Sequence, residues 1–113
     1  MGESEGTVLF VLTTVSTDAE ARAIAERLVN GRLAACVNAV HGVRSVYRWQ
    51  GKVEEAVEIL LLVKTVSPRL AEVKDAIREM HPYELPELVV LAPADVDERF
   101  ARWISESCAP EAG

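Results

Sequence analysis

The chain has 113 residues, half of them hydrophobic, with a net charge of −6 and two cysteines. This length predicts one domain with its own core, and the hydrophobic content excludes an intrinsically disordered protein. The negative charge argues against a nucleic-acid-binding protein, because such proteins need clustered Lys and Arg to replace the counterions of phosphates. We therefore expect a single domain over residues 1–113, with residues 1–6 and 109–113 as its tails.

The segment Met1–Gly6 is acidic and carries no apolar core, so no signal peptide is expected. No run of residues approaches the roughly 20 apolar residues that a membrane span needs. Cys36 and Cys108 lie far apart in sequence and form no Cys-x-x-Cys motif, which is typical of a protein from a reducing compartment. The sequence therefore predicts a cytoplasmic protein that binds neither membranes nor nucleic acid.

The first two predicted elements are a strand and a helix. Val8–Leu12 is a short continuous apolar run, typical of a strand buried on both faces. Thr17 and Glu20 then have the spacing of a capping box, which predicts the start of a helix. Gly31 is expected to end that helix in a left-handed conformation. Apolar residues between these ends recur at helical spacing and predict one buried stripe: Ala21, Ile24, Ala25 and Leu28.

A long hairpin is predicted next. Residues 34–50 read as an extended strand with a bulge at His41-Gly42, and residues 53–66 run back after a tight turn at Gln50–Lys52. Each arm holds about 14 residues and so spans roughly 46 Å, whereas a compact domain of this size is roughly 35 Å across. The hairpin is therefore expected to overhang the domain by roughly 10 Å.

The second half of the chain repeats the helix–strand order. Ser67-Pro68 predicts the start of a second helix, which runs to Met80 and ends before Pro82. Leu88–Leu91 reads as a fourth strand, and residues 97–108 as a terminal helix with Phe100, Trp103 and Ile104 facing inward. The order βαββαβ with a C-terminal helix predicts an α+β, ferredoxin-like fold.

In this fold the first two helices cover one face of the sheet and leave the other face bare. The predicted overhang also places three large side chains near its tip, namely Tyr47, Arg48 and Trp49. Exposed strand edges tend to pair with other strands, and aromatic residues are enriched at interfaces. We therefore expect a homo-oligomer whose interface includes these three residues.

The connector between the second helix and the last strand concentrates polar side chains; it reads His81-Pro82-Tyr83-Glu84-Leu85-Pro86-Glu87. Its two prolines fix φ near −65° and stiffen the segment, so its titratable groups are presented as in a binding site. In the structural interpretation, Pro82 merely ends the helix, Tyr83 packs its ring and His81 caps the last carbonyls. The sequence leaves both interpretations open.

The chain contains no motif of nucleophilic catalysis or nucleotide binding, and Cys36 reads as a small buried residue. We therefore expect a protein that is not an enzyme. Lys64 is unusual because it lies near the end of an apolar strand. It either extends its ammonium group to the sheet margin or pairs with Glu87 at the start of an adjacent fourth strand.

Together, several stretches resemble the CutA divalent-cation-tolerance family. They are Arg32-Leu33-Ala34-Ala35-Cys36-Val37-Asn38, Ser45-Val46-Tyr47-Arg48-Trp49-Gln50-Gly51-Lys52, Leu62-Val63-Lys64-Thr65 and the connector. The matches span residues 7–107 in order. The resemblance implies a ferredoxin-like trimer similar in architecture to PII signalling proteins, and a link to copper tolerance and divalent-metal binding.

Copper-binding members are similar to each other in a Cys after the first strand and in a Cys-x-x-x-His that leads into His-Pro-Tyr. This chain has Thr13, Ala76 and Met80 at those positions, which lack the thiol and imidazole ligands. We instead expect a polar pocket between subunits, lined by the following residues: Lys64, His81, Tyr83, Glu84 and Glu87. His81 is its expected metal ligand, and copper or zinc its expected weakly bound ion.

Three functions fit these features. The first is a cytoplasmic trimer that responds to divalent metal ions. The second is a PII-like sensor of a small anionic metabolite, in which Lys64 would be the charge partner. The third is a structural trimeric scaffold.

Overall fold

A computed structural model describes residues 6–110 of the chain, so the expected tail residues 1–5 and 111–113 lie outside the described part. The strands and helices, in chain order, are β1 (Val8–Val15), α1 (Asp18–Asn30), β2 (Cys36–Trp49), β3 (Lys52–Val66), α2 (Leu70–Met80), β4 (Val89–Leu91) and α3 (Glu98–Ser107). A short 3₁₀ turn, Ser67–Arg69, precedes α2. The predicted order of elements is confirmed.

The four strands form one antiparallel sheet in the order β2-β3-β1-β4. β1 is the central link, because it pairs with β3 along its whole length and with β4 over three residues. Non-consecutive neighbours in the sheet reflect the two crossovers of the βαββαβ pattern. The α+β, ferredoxin-like fold class is therefore confirmed.

α1 and α2 pack on one side of the sheet, which we call the helix face. Alternate residues of the central strands point to this side, including Val11 and Val63, which are fully buried. They meet the apolar stripes of the two helices, whose main core residues are Ile24, Leu28, Val73 and Ile77. Strand alternation at period two and helix stripes at period 3.6 thus converge on one core.

The opposite side, which we call the open face, is only partly bare. α3 packs over its end at Val8 and Val66, where Ile104 and Cys108 are buried with them. The expectation that this whole face is uncovered is therefore wrong. The amphipathic stripe of α3 is also narrower than predicted, because Phe100 and Trp103 remain 39% and 44% exposed.

The long hairpin is confirmed. β2 has 14 residues and β3 has 15, and the domain measures 50 × 30 × 21 Å along its principal axes. The bulge lies between Val40 and Val43, as predicted. Gln50 and Gly51 both have positive φ, at 50° and 82°. Positive φ at both central residues is the geometry of a two-residue type I′ turn, which keeps the arms twisted together.

The helix ends follow the sequence in part. The capping box of Thr17 and Glu20 is present at the start of α1. At its end, Gly31 has a φ of −82°, so the expected left-handed glycine is wrong. Arg32 takes the left-handed position instead, with a φ of 58°. Ser67 does not cap α2 directly, because its Oγ accepts a hydrogen bond from the Thr7 N–H at 3.0 Å.

Candidate functional site

The proline-stiffened connector begins at His81, where the chain leaves α2 in an extended conformation, as a residue before proline prefers. Its Nε2 lies 2.8 Å from the Thr14 carbonyl oxygen, which can only accept a hydrogen bond. Its Nδ1 accepts from the Tyr83 backbone N–H at 3.2 Å. The imidazole therefore carries its proton on Nε2, and both ring nitrogens bond within the fold.

Tyr83 connects this segment to the hairpin. Its ring packs edge-on against the His81 ring, with 4.7 Å between the centroids. Its hydroxyl donates to Glu58 Oε2 at 2.7 Å. Burial and the Glu58 hydrogen bond raise the pKa of Tyr83 to about 12. The hydroxyl therefore stays protonated and acts as a donor at neutral pH.

Glu58 is the residue that sequence reasoning missed. It reads there as one polar residue in the alternating half of β3, yet the structure leaves it only 8% exposed. A buried carboxylate needs hydrogen-bond partners, and Tyr83 supplies one from a connector 25 residues away. The available signal was its place immediately before the apolar run that starts at Ile59.

The start of α1 contributes the neighbouring polar groups. The Glu20 carboxylate accepts from the Ser16 hydroxyl at 3.1 Å and from the backbone N–H groups of Ser16 and Thr17, both at 3.2 Å. Burial opposes ionisation of Glu20, but these hydrogen bonds prevail and hold its pKa below the ordinary value. Asp18, the first residue of α1, lies 3.0 Å from Nε2 of His41 in the bulge of β2.

Lys64 lies away from the connector. It pairs with Phe10 across β1, and Phe10 in turn pairs with Leu91 of β4. β1 therefore separates β3 from β4, and the expectation that Lys64 and Glu87 lie on adjacent strands is wrong. The Lys64 ammonium instead lies 5.5 Å from the centre of the Phe100 ring. Its expected role in a ligand pocket stays a prediction.

The other predicted residues are exposed. Glu84 and Glu87 project from the connector before β4, and Tyr47, Arg48 and Trp49 lie at the hairpin end, as predicted. Within one chain, the structure thus brings His81 and Tyr83 together with Glu58. It does not bring Lys64 into the same cluster.

The donor set of a single chain does not match a complete metal site. Across residues 6–110, no group of three or more His, Cys, Asp or Glu side chains is positioned to hold a metal ion. The Cys108 thiol is buried, which raises its pKa, and it lies 3.8 Å from the Leu33 carbonyl oxygen. Thr13 and Ala76 lie in the core, at 0% and 3% exposure. A metal ion held by one chain would therefore have few protein ligands.

No helix within residues 6–110 is long and apolar enough to cross a membrane.

Comparison with known proteins identifies the family. Residues 9–107 match the model of the CutA1 divalent ion tolerance protein family. The divalent-cation tolerance protein CutA of Thermus thermophilus is 46% identical over 97 residues, covering 86% of this chain and 94% of that protein.

Solved structures agree with the sequence match. A Thermus thermophilus CutA1 structure superposes with a TM-score of 0.86 at 44% identity, covering 89% of this chain and 98% of that one. A structure described as a periplasmic divalent cation tolerance protein CutA, from Archaeoglobus fulgidus, gives 0.86 at 36% identity, covering 90% and 99%. The chain therefore belongs to the CutA1 divalent ion tolerance family.

Proposed function

We propose that this protein acts in the tolerance of divalent metal ions as a cytoplasmic homotrimer of PII-like architecture, and that it is not an enzyme. Membership of the divalent ion tolerance family supports the role in metal tolerance. One relative, the Archaeoglobus fulgidus protein, is called periplasmic.

The observation that carries the assembly is the apolar surface of the overhanging hairpin. Three valines there are 60–64% exposed, namely Val46, Val53 and Val57, and Tyr47 and Trp49 are 44% and 36% exposed. The strand register places the three valines on one side of the hairpin and Tyr47 and Trp49 on the other. Both sides therefore expose apolar area of a kind that soluble monomers rarely leave uncovered. β2 is also an edge strand with unpaired backbone groups, which other strands can pair with. Contact with other copies of the chain would cover both features.

Metal binding in this proposal is weak and shared. One chain lacks a complete donor set, so a pocket between subunits would combine groups from more than one copy. The expected contributors are Lys64, His81, Tyr83 and Glu87, with His81 as the metal ligand. Imidazole and carboxylate ligands favour Cu(II) over Zn(II) in the usual affinity order.

Mass measurement by light scattering, together with calorimetric titration, tests this proposal. We expect a trimer at micromolar concentration, and tighter binding of CuCl₂ than of ZnCl₂. A monomeric mass would contradict the assembly. Binding of nucleotides or small carboxylates instead of metals would favour the metabolite sensor, and no binding at all would favour the scaffold.

The role in cells is tested by growth. Cells of a bacterial strain that lacks its own CutA protein are grown in graded copper and zinc salts, with and without this protein. Improved growth in the presence of the protein is expected, and equal growth at every metal concentration would contradict the tolerance role.

A further inference from the structure

We infer that Glu58 of one copy of the chain forms an ion pair with Arg48 of a second copy, so that the hairpin end of one copy completes a buried site on its neighbour. This inference rests on the proposed assembly and names the contact that decides how the copies are arranged. Glu58 is the last overhanging residue of β3 before the sheet, because β1 ends at Val15, opposite Ile59.

The first argument is that Glu58 is a buried carboxylate without a cationic partner in its own chain. It is 8% exposed, and its Oε2 accepts one hydrogen bond, from the Tyr83 hydroxyl at 2.7 Å. Within residues 6–110 it forms no ion pair. Glutamate is rarely buried unless it is paired, because a charge that loses its hydration needs another charge to compensate. The site is therefore incomplete in a single chain.

The second argument is the negative charge around Glu58. Burial and the Glu58 hydrogen bond are the main causes of the raised pKa of Tyr83, and the negative charges of Glu58 and Glu20 raise it further. Two carboxylates therefore act on one hydroxyl at the base of the overhang. A guanidinium fits this place well, since it stays charged and offers five N–H donors to carboxylate and hydroxyl oxygens.

The third argument is that Arg48 needs an acceptor once the assembly forms. It is exposed, lies opposite Val53, and shares a side of the hairpin with Val46 and Val57. A copy that covers these valines also removes water from the Arg48 guanidinium. The nearest carboxylate on this side, Glu55, already pairs with Arg44 at 3.1 Å. Arg48 itself forms no ion pair within the part of the chain that the structure describes.

The two charges cannot meet within one chain. Arg48 pairs with Val53, which precedes Glu58 by five residues of an extended strand, or about 17 Å. The arginine and glutamate side chains are too short to bridge this distance, so the partner of each is in another copy. Each copy donates one Arg48 and receives one at Glu58, and a closed ring therefore satisfies both charges in every copy.

The experiment measures the coupling between the two residues in the full-length protein. Light scattering across a dilution series gives the dissociation midpoint of the parent, Arg48→Ala, Glu58→Gln and the double variant. Arg48 is exposed in the single chain, and Gln at position 58 keeps an acceptor for the Tyr83 hydroxyl, so both variants should fold. We expect each single variant to raise the midpoint concentration about tenfold or more. The double variant should be no weaker than the weaker single variant, because both remove the same contact.

Charge reversal gives an independent readout. Arg48→Glu should weaken assembly more than Arg48→Ala does, because it places a third carboxylate beside Glu58 and Glu20. Addition of Glu58→Gln to Arg48→Glu should restore several-fold of that loss. A double variant that is weaker than Arg48→Glu alone would contradict the inference.

The matched control is Arg44→Ala. Arg44 is an exposed arginine on the same strand and the same side as Arg48, but its partner Glu55 lies in the same chain. The effect of Arg44→Ala should therefore simply add to that of Glu58→Gln.

Two outcomes would overturn the inference, and a third separates it from the proposed function. The first is that the effects of Arg48→Ala and Glu58→Gln are additive in a parent that assembles, in which case the inference fails and the proposed assembly stands. The second is that Glu58→Gln couples to Lys52→Ala instead, which would assign the contact to the other cation of the hairpin end. The third is a monomeric parent, which would contradict the assembly and the inference together.

Discussion

Thr13 shows how one atom can cost stability. Its side chain is fully buried on the helix face, and its Oγ1 is a buried polar atom without a hydrogen-bond partner. A hydroxyl in that state keeps the desolvation cost of burial without compensation. We expect Thr13→Val, which keeps the shape and removes the hydroxyl, to raise the free energy of unfolding by about 1 kcal/mol. Chemical denaturation of the parent and variant measures the change.

Thr65 supplies the matched control for this prediction. It is equally buried, but its Oγ1 donates to the Leu33 carbonyl oxygen at 2.6 Å. Thr65→Val should therefore lower the stability by about 1 kcal/mol. Equal effects of the two substitutions would contradict the assignment of Thr13 Oγ1 as the hydroxyl without a hydrogen-bond partner.

The Tyr83 hydroxyl predicts a loss of stability at alkaline pH. Its pKa is raised to about 12 in the folded protein, above the ordinary value of 10.0. A raised pKa means that the folded state holds this proton more tightly than the unfolded state. The stabilisation is thus fully present below pH 10 and is lost as the pH rises towards 12. Tyrosinate absorbance of the parent minus that of Tyr83→Phe should show this titration, and a midpoint near pH 10 would contradict it.

The sequence predicted the connector residues of the site, but it did not predict which residues of other elements contact them. His81 and Tyr83 stand out because two prolines bracket a run of polar residues. Glu58 does not, since burial of a polar residue in an alternating strand depends on which element crosses over it. The pairing of Lys64 with Glu87 failed for a different reason, because the crossovers of the βαββαβ fold place β1 between β3 and β4.

At the scale of the elements, the C-terminal end of α3 is fastened by side chains from elsewhere in the chain. Arg32 donates from Nε to the Ala109 carbonyl at 2.7 Å and from its terminal nitrogen to the Glu106 carbonyl at 3.1 Å. Arg69 donates to the Cys108 carbonyl at 2.9 Å. These cations satisfy carbonyl groups that a helix end leaves unpaired, and they complement the negative end of its dipole.

Substitutions at Arg32 separate the effect of its two side-chain hydrogen bonds from the effect of backbone strain at its positive φ. Arg32→Ala removes both hydrogen bonds and keeps a side chain at a φ of 58°, so we expect a loss of about 2 kcal/mol. Arg32→Gly should cost about 1 kcal/mol less, because glycine tolerates the left-handed conformation. Hydrogen exchange in the last turn of α3 should rise in both variants.

Arg78→Ala is the control for this pair, since Arg78 is exposed and pairs with Asp75 on the same helix. Equal stability of Arg32→Ala and Arg32→Gly would show that the backbone conformation carries no strain at this position.

Most elements were predictable because their signals are local. Periodicity, the capping box and the turn at Gln50-Gly51 each need only neighbouring residues. The errors concern relations between distant parts of the chain. Arg32, not Gly31, is the left-handed residue, and its side chain bonds the end of α3. α3 in turn covers part of the open face.

At the scale of the whole molecule, the exposed tryptophans distinguish two surfaces. Trp49 lies at the hairpin end, and Trp103 stacks on Phe100 on α3, with 5.5 Å between the ring centroids. Trp49→Ala should weaken assembly by about 2 kcal/mol or more, as truncation of an aromatic anchor does. Light scattering across a dilution series gives the dissociation midpoint, and Trp103→Ala is the comparably exposed control. Equal midpoints for the parent and Trp49→Ala would place the interface away from the hairpin end.

The bulge in β2 also determines which side of the hairpin each later residue occupies. Val40 pairs with Leu60, and Val43 pairs with Glu58, so three steps along β2 match two along β3. Before the bulge, the even-numbered residues of β2 lie on the same side of the sheet as Lys64. After the bulge, the odd-numbered residues lie on that side, and Trp49 is one of them. The alternation of β2 side chains between the two sides is therefore shifted by one residue at the bulge. Loss of Gly42 would remove the extra residue and leave Val43 opposite Glu58, so each later side chain would keep its side. Loss of one residue beyond the bulge would instead exchange the two sides for the residues between the deletion and the turn. The bulge is therefore a position in this hairpin at which the assembly can tolerate a one-residue deletion.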